Sequence, residues 1–359
     1  MYIYIIIFLM LSFLEFSKKK KNFFCYLILV IFIGIRYEVG FDFESYYNLG
    51  EKSEYIILDL FRKNIPLSFD SSPSFYQYYR FEILNKILYK IVWFFKGGGQ
   101  LAIFFYSFLT IYLFKISIEF VKNKTVLPWL IFYSVPIYLF YYLSIMRQGI
   151  AILLCFFSYR FILKKELLKF LLTVLVAIGF HKSAVIFIPA FFLRNVNLRS
   201  ILGLAILFFS FSFDKILKII VEITGFYNHY LAEKYQITSG TKIIYLFLIV
   251  YTLINIKIYR NRKWYEKNKE KINIFFIGIY LFWGLKSFGL TGVRLANYYL
   301  VYFIYLAEIS LNKLKPQKLI KLITHLILLF ILLIALIVDV SKNERSQLIP
   351  YKIFFIEQK

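Results

Sequence analysis

The chain predicts an all-α fold, a polytopic transmembrane helical bundle of about 10 to 12 spans. Three observations predict it. Of 359 residues, 60% are hydrophobic and the mean hydropathy is +0.68, above the roughly 45–50% apolar content of a water-soluble chain. The apolar residues fall in runs of roughly 14 to 22, close to the length that crosses a bilayer as a helix. Between the runs lie short basic clusters. A β-barrel would instead alternate apolar and polar residues in short segments.

The runs lie near 1–17, 22–35, 100–121, 128–145, 148–163, 167–180, 183–193, 200–213, 241–259, 271–288, 294–311 and 319–340. The first, MYIYIIIFLMLSFLEF, has neither a basic leader nor a small-residue cleavage motif, so it is expected to be a retained span. The basic clusters are Lys18–Lys21, Lys122–Lys124, Lys164–Lys169, Arg194–Arg199, Arg260–Lys271 and Lys313–Lys321. With this set of spans every cluster falls on one side, which the positive-inside bias makes the cytoplasm. The net charge of +24 is therefore read as topology and not as a nucleic-acid surface. The segment 167–193 decides the count. As one helix it would flip the strongest basic cluster outward, so a break is expected near His181, with Gly179 and Pro189 suited to irregular backbone.

The whole of 1–359 reads as a single membrane domain, with outer-face loops at 36–99 and 214–240. Within the first, 81–95 carries apolar residues at 84, 87, 88, 91, 94 and 95, with Glu82, Lys86 and Lys90 opposite. That pattern predicts an amphipathic helix in the outer interface, with Trp93 near the headgroups. The triple glycine at 97–99 lacks the residues of a phosphate loop and reads as a break before the next span. Cys25 and Cys155 lie in apolar runs and are expected to be buried thiols. No cluster has metal-ligand spacing, and no cofactor is expected.

The most informative stretch runs from Arg147 to Pro189. Arg147 opens an apolar leg, Lys164 and Lys165 close it, and a second leg returns to His181. Each leg spans about 24 Å of helix, so Arg147 and His181 should meet at one depth. Ionisable groups gathered there are costly in lipid and mark a site. Arg36, Arg147 and Arg294 each stand at an outer span tip, against the inward bias. Each either snorkels to headgroups or lines a basic pocket, where a guanidinium fork suits a lipid diphosphate. His181 either caps a helix break or acts as a general base, with Lys182 beside it favouring the neutral ring. Asp42 either pairs locally with Arg36 or serves as base or sugar-hydroxyl acceptor. His229 lies in a tyrosine-rich loop, and His325 at the start of the last span reads as a headgroup contact.

The motif R-Y-x-V-G-x-D-x-x-x-Y from Arg36 to Tyr46 resembles the opening of the EpsG family of polysaccharide-assembly proteins, a relative of the Wzy-type O-antigen and capsule polymerases. So do Arg147-Gln148-Gly149-Ile150-Ala151, Phe180-His181-Lys182-Ser183-Ala184, Arg294-Leu295-Ala296-Asn297-Tyr298-Tyr299 and Ile349-Pro350-Tyr351, in the same order. The resemblance implies a multi-pass protein of the bacterial cytoplasmic membrane, its site facing the periplasm or exterior. There it would join undecaprenyl-diphosphate-linked oligosaccharide repeats, without a metal or a soluble nucleotide sugar. It implies Arg147, Arg294 and Arg36 as diphosphate ligands and His181 or Asp42 as the base, supported by Lys182, Tyr46 and His229. It points to the lipid bilayer, a chain-length regulator and a flippase of the same pathway as partners. The competing classes are a flippase for the same lipid-linked sugar and another outer-face transferase such as an O-antigen ligase.

Overall fold

Apolar runs without strand alternation should fold as helices, and they do. The structure is a computed structural model that describes residues 1–16, 21–51, 81–121, 125–198, 200–224, 243–312, 318–341 and 347–357. It is 84% helical. Among the described residues, extended pairing is limited to Arg36–Tyr37, antiparallel to Lys352–Ile353. Among the described residues, two helices are long and apolar enough to cross a membrane, Gly98–Phe120 and Met146–Lys164, and Tyr2–Phe13, Lys21–Gly34, Leu167–Phe180 and Leu326–Ser341 are shorter apolar helices. The basic clusters at 18–20, 122–124 and 313–317, residues 52–80 of the expected loop 36–99, and His229 lie outside the described residues.

The chain divides into two compact units. The first comprises Met1–Phe157, Leu172–Val185 and Lys315–Lys359. Its central helix is Gly98–Phe120, against which Lys21–Gly34, Phe43–Glu51, Ile83–Phe94 and Met146–Phe157 pack. Aromatic rings fill the core. Phe114 stacks on Phe132 with centroids 3.9 Å apart, and Phe32 stacks on Tyr351 at 4.7 Å. Two of the buried hydroxyls find backbone acceptors: Tyr4 donates to the Leu348 carbonyl at 2.5 Å and Tyr133 to the Tyr4 carbonyl at 2.9 Å.

The second unit comprises Ser158–Leu171 and Ile186–Leu314. Its longest contacts run between the helix Arg262–Gly284 and the helices Leu290–Leu300 and Ser200–Thr224. The Asn261 side chain caps the first of these by accepting from the Trp264 amide at 2.9 Å. The basic cluster expected as a loop at 260–271 is thus mostly the opening turns of a helix.

Three further boundaries depart from the sequence expectation. The run 128–145 is two helices, Leu127–Ser134 and Leu139–Ser144. Pro136 is the cause, because the residue before a proline is pushed to extended backbone and Val135 sits at ψ 121°. The run 294–311 is likewise divided into Leu290–Leu300 and Phe303–Asn312. The helix Ser200–Thr224 continues past 213 into the stretch 214–240 expected as a loop. There the apolar residues Ile216, Ile219, Ile220 and Ile223 keep helical spacing, and Lys218 faces Glu222 at 3.8 Å.

The triple glycine does more than break a helix. Gly98 adopts φ +57°, and the Gly99 amide at the helix start donates to Glu51 Oε1 at 2.6 Å. A Cβ on Gly99 would lie 2.5 Å from the Tyr47 carbonyl oxygen, so the helix Phe43–Glu51 can approach only because there is none. Gly99→Val should cost about 1–3 kcal/mol or more through this overlap. A thermal melt in detergent should register it as a lower midpoint, whereas Gly98→Asn, at a left-handed position that asparagine tolerates, should lose less.

Candidate active site

The site begins at a helix start. Arg147 is the second residue of the helix Met146–Phe157, and its backbone amide donates to the Tyr46 hydroxyl at 3.4 Å. Tyr46 comes from the buried side of the helix Phe43–Glu51. Burial raises its phenol pKa, and the Arg147 charge opposes that rise only in part, so Tyr46 remains a neutral hydroxyl. The Arg147 guanidinium lies 3.7 Å from the centroid of the Phe81 ring, a cation–π contact. Its Nη1 donates to Glu82 Oε2 at 2.8 Å, while its Nε is buried without a hydrogen-bond partner.

Glu82 stands at the entry to the amphipathic helix, observed as Ile83–Phe94. Its second oxygen, Oε1, accepts from the Lys182 amide at 3.2 Å. Asn85, one turn further, donates to the Phe180 carbonyl at 2.7 Å and accepts from the Tyr106 hydroxyl at 3.0 Å. The amphipathic helix therefore grips the end of the helix Leu167–Phe180. Of the residues expected on its polar face, Lys90 is exposed but Lys86 is buried, together with Asn85, Leu88 and Tyr89, while Ile83, Ile87 and Ile91 are exposed.

The expected break falls at His181. The α-helix ends at Phe180, and a 3₁₀ segment, Lys182–Arg194, follows. The Ser183 hydroxyl lies 2.7 Å from His181 Nδ1, and the Ser183 amide donates to the same nitrogen at 3.3 Å. An amide can only donate, so this pattern assigns the lone pair to Nδ1 and the proton of the neutral ring to Nε2. Gln148 donates to the Ser183 hydroxyl at 3.2 Å. A chain thus runs from Gln148 through Ser183 to His181, one residue from Arg147.

Arg36, Asp42 and the C-terminal segment adjoin this cluster. Arg36 is 1% exposed and donates through Nη2 to the Leu143 carbonyl at 3.2 Å, with Met146 Sδ at 3.7 Å. Burial pulls its pKa down to about 10, with Tyr351 and Tyr4 opposing, so it stays charged at neutral pH. Gly40, at φ +105°, turns the chain so that the Phe41 amide donates to Ser144 Oγ at 3.3 Å. Asp42 follows, and its charge reaches the Tyr46 phenol. Lys352 pairs with Glu38, and Tyr351 donates to the Phe32 carbonyl, which carries the Ile349-Pro350-Tyr351 motif to the Arg36 side. Four motifs scattered from residue 36 to residue 351 are in this way joined within one unit.

The EpsG family profile matches residues 21–353. The chain belongs to the EpsG family. That family is one of Wzy-like polymerases, associated with glycosyltransferase-like activity. No curated protein and no solved structure matches the chain.

For this EpsG member the remaining sequence candidates stand as follows. Lys182 is exposed, and its backbone amide, not its ammonium, carries the contact to Glu82. Arg294 belongs to the second unit, half-buried on the helix Leu290–Leu300. It follows a tight turn in which a Cβ on Gly292 would lie 2.3 Å from the Leu285 carbonyl oxygen. Asp214 holds that turn by accepting from the Ser287 amide at 2.7 Å and hydroxyl at 2.9 Å. Among the described residues no group of three His, Cys, Asp or Glu side chains stands together to hold a metal.

Sequence reasoning missed Glu82, Gln148 and Ser183 as site residues. A signal for Glu82 existed. Positions 82, 85, 86 and 89 form an i, i+3, i+4, i+7 stripe of Glu, Asn, Lys and Tyr, and a helix bathed in lipid turns such a stripe inward.

Proposed function

We propose that this EpsG member is a polysaccharide polymerase that joins polyprenyl-diphosphate-linked oligosaccharide repeats at the outer face of the cytoplasmic membrane. The observation that carries the reading is the meeting of a cation and a proton acceptor. Arg147 and the Ser183–His181 pair are held together through Glu82 and Gln148. A guanidinium suits the diphosphate of a leaving lipid, and an imidazole near neutral pH suits removal of a hydroxyl proton.

In this mechanism the acceptor sugar hydroxyl loses its proton to His181 Nδ1, directly or through Ser183. The freed oxygen attacks the anomeric carbon of the donor repeat. The bond between that carbon and the diphosphate oxygen breaks, and the electron pair leaves with the lipid diphosphate. Arg147 stabilises the charge that develops there. Arg36, buried and bonded to the Leu143 carbonyl, supports the turn that leads into Arg147. Asp42 is the alternative base.

Membrane residence is supported by apolar faces left exposed among the described residues. Phe208, Ile223, Ile249, Leu253, Leu175 and Phe330 are all more than half exposed, and a water-soluble protein rarely shows so many along whole helices. The polar stripe of Ile83–Phe94 turned toward the protein supports the same view. The apolar runs together with the basic clusters support a polytopic arrangement of about 10 to 12 spans.

The decisive experiment is to delete the gene and identify what accumulates. Loss of the polymerase leaves single repeats on lipid at the outer face. Single repeats trapped inside would identify a flippase, and long polymer still attached to lipid a ligase. Sidedness has its own test. In a protein lacking Cys25 and Cys155, a cysteine at position 42 should react with an impermeant reagent from outside intact cells. Cysteines at 164 and 267 should react only after the membrane is opened. Outside labelling at 267 would reverse the topology.

A further inference from the structure

Among the described residues, Glu82 is a carboxylate that touches both halves of the candidate site, and the proposed mechanism gives it no step. Its two oxygens are divided. Oε2 takes Arg147 Nη1 at 2.8 Å, and Oε1 takes the Lys182 amide at 3.2 Å, next to His181. Its side chain is only 9% exposed, against 22% for Arg147. Asn85 reinforces the same junction through the Phe180 carbonyl at 2.7 Å.

We infer that Glu82 is a positioning residue that aims the diphosphate cation, Arg147, and the proton-accepting loop, His181–Ser183, at one reacting centre. The role rests on the polymerase reading above. A carboxylate suits this position for two reasons. It is long enough to bridge a guanidinium and a backbone amide, and it needs no proton to accept from both. Its charge also has a cost to binding, because it occupies a guanidinium donor that an anionic substrate would use and partly neutralises it. Removing the charge should therefore strengthen ground-state binding while weakening catalysis. A residue that merely holds the fold together cannot move the two in opposite directions.

Full-length protein in nanodiscs of phosphatidylethanolamine and phosphatidylglycerol provides the test, with undecaprenyl diphosphate as binding probe and a lipid-linked repeat as substrate. Glu82→Gln should bind undecaprenyl diphosphate about fivefold tighter. Its kcat should fall by about 10²-fold, the effect expected when reacting groups are misplaced by about 1 Å. Glu82→Asp keeps the charge but is one methylene too short for both partners, so its kcat should fall without tighter binding. Hydrogen exchange at the Lys182 amide should speed up in both variants. Wild-type kcat in both variants, or binding and kcat falling together, would overturn the positioning role while leaving the polymerase reading intact. A wild-type protein that binds undecaprenyl diphosphate no better than an unrelated membrane protein would overturn the polymerase reading, and this role with it. Unchanged exchange at Lys182 would overturn the bridge whatever the activity.

Discussion

Arg147→Lys should lose most polymerisation, by about 10²-fold, while the protein inserts and accumulates normally. Lysine keeps the positive charge and can still pair with Glu82 as a point charge. It lacks the planar guanidinium whose carbon sits 3.7 Å from the Phe81 ring centroid, and it has no second donor in a fixed fork. The Nε that is buried without a partner is the donor that lysine lacks. Single repeats on lipid should therefore build up in cells, read by separating lipid-linked sugars by size. Arg147→Ala is the less informative change. It leaves the nearly buried Glu82 carboxylate unpaired, and breaking such a pair costs about 3–5 kcal/mol, so lost activity would be confounded with lost protein. Near-normal chain length in Arg147→Lys would mean that the arginine only anchors Glu82, and the diphosphate clamp would fail.

His181→Ala should reduce polymerisation by about 10²–10⁴-fold if its ring accepts the acceptor proton. The fold should be little affected, because the imidazole is only partly buried and its bonds to the adjacent Ser183 are worth about 1 kcal/mol each. Ser183→Ala separates two routes. A direct base predicts a modest loss, since Nδ1 keeps its lone pair. A relay through the hydroxyl predicts a loss close to that of His181→Ala. Asp42→Asn measured beside them tests the rival base. Normal polymer from His181→Ala at normal abundance would return the histidine to capping the helix end.

The break at His181 illustrates what was legible beforehand. It was expected from the one-sided distribution of basic clusters, a property of the chain as a string. It is observed as an α-helix ending at Phe180 and a 3₁₀ segment from Lys182. The amphipathic helix was equally legible, and its observed span Ile83–Phe94 lies within the expected 81–95. Its polarity was not. Periodicity reveals that a helix has two faces but not which one meets the protein, and Asn85 and Lys86 turned inward. The split at Pro136 was legible in principle, since the restriction on the preceding residue is local, yet the apolar content of 128–145 masked it.

Helical class, apolar runs and the charge bias between them were determined by the sequence alone, because each depends on the properties of neighbouring residues. So was membership of the EpsG family, carried by short motifs in order. The tertiary structure decided which of those motifs act together. Glu82 reaches Arg147 across 65 positions, and Ile353 pairs with Arg36 from the far end of the chain. It also placed Arg36 in a buried position, 1% exposed. Such pairings depend on how separate helices pack, and packing is set by side-chain volume and by hydrogen bonds that buried polar groups must find, neither of which has a period along the sequence.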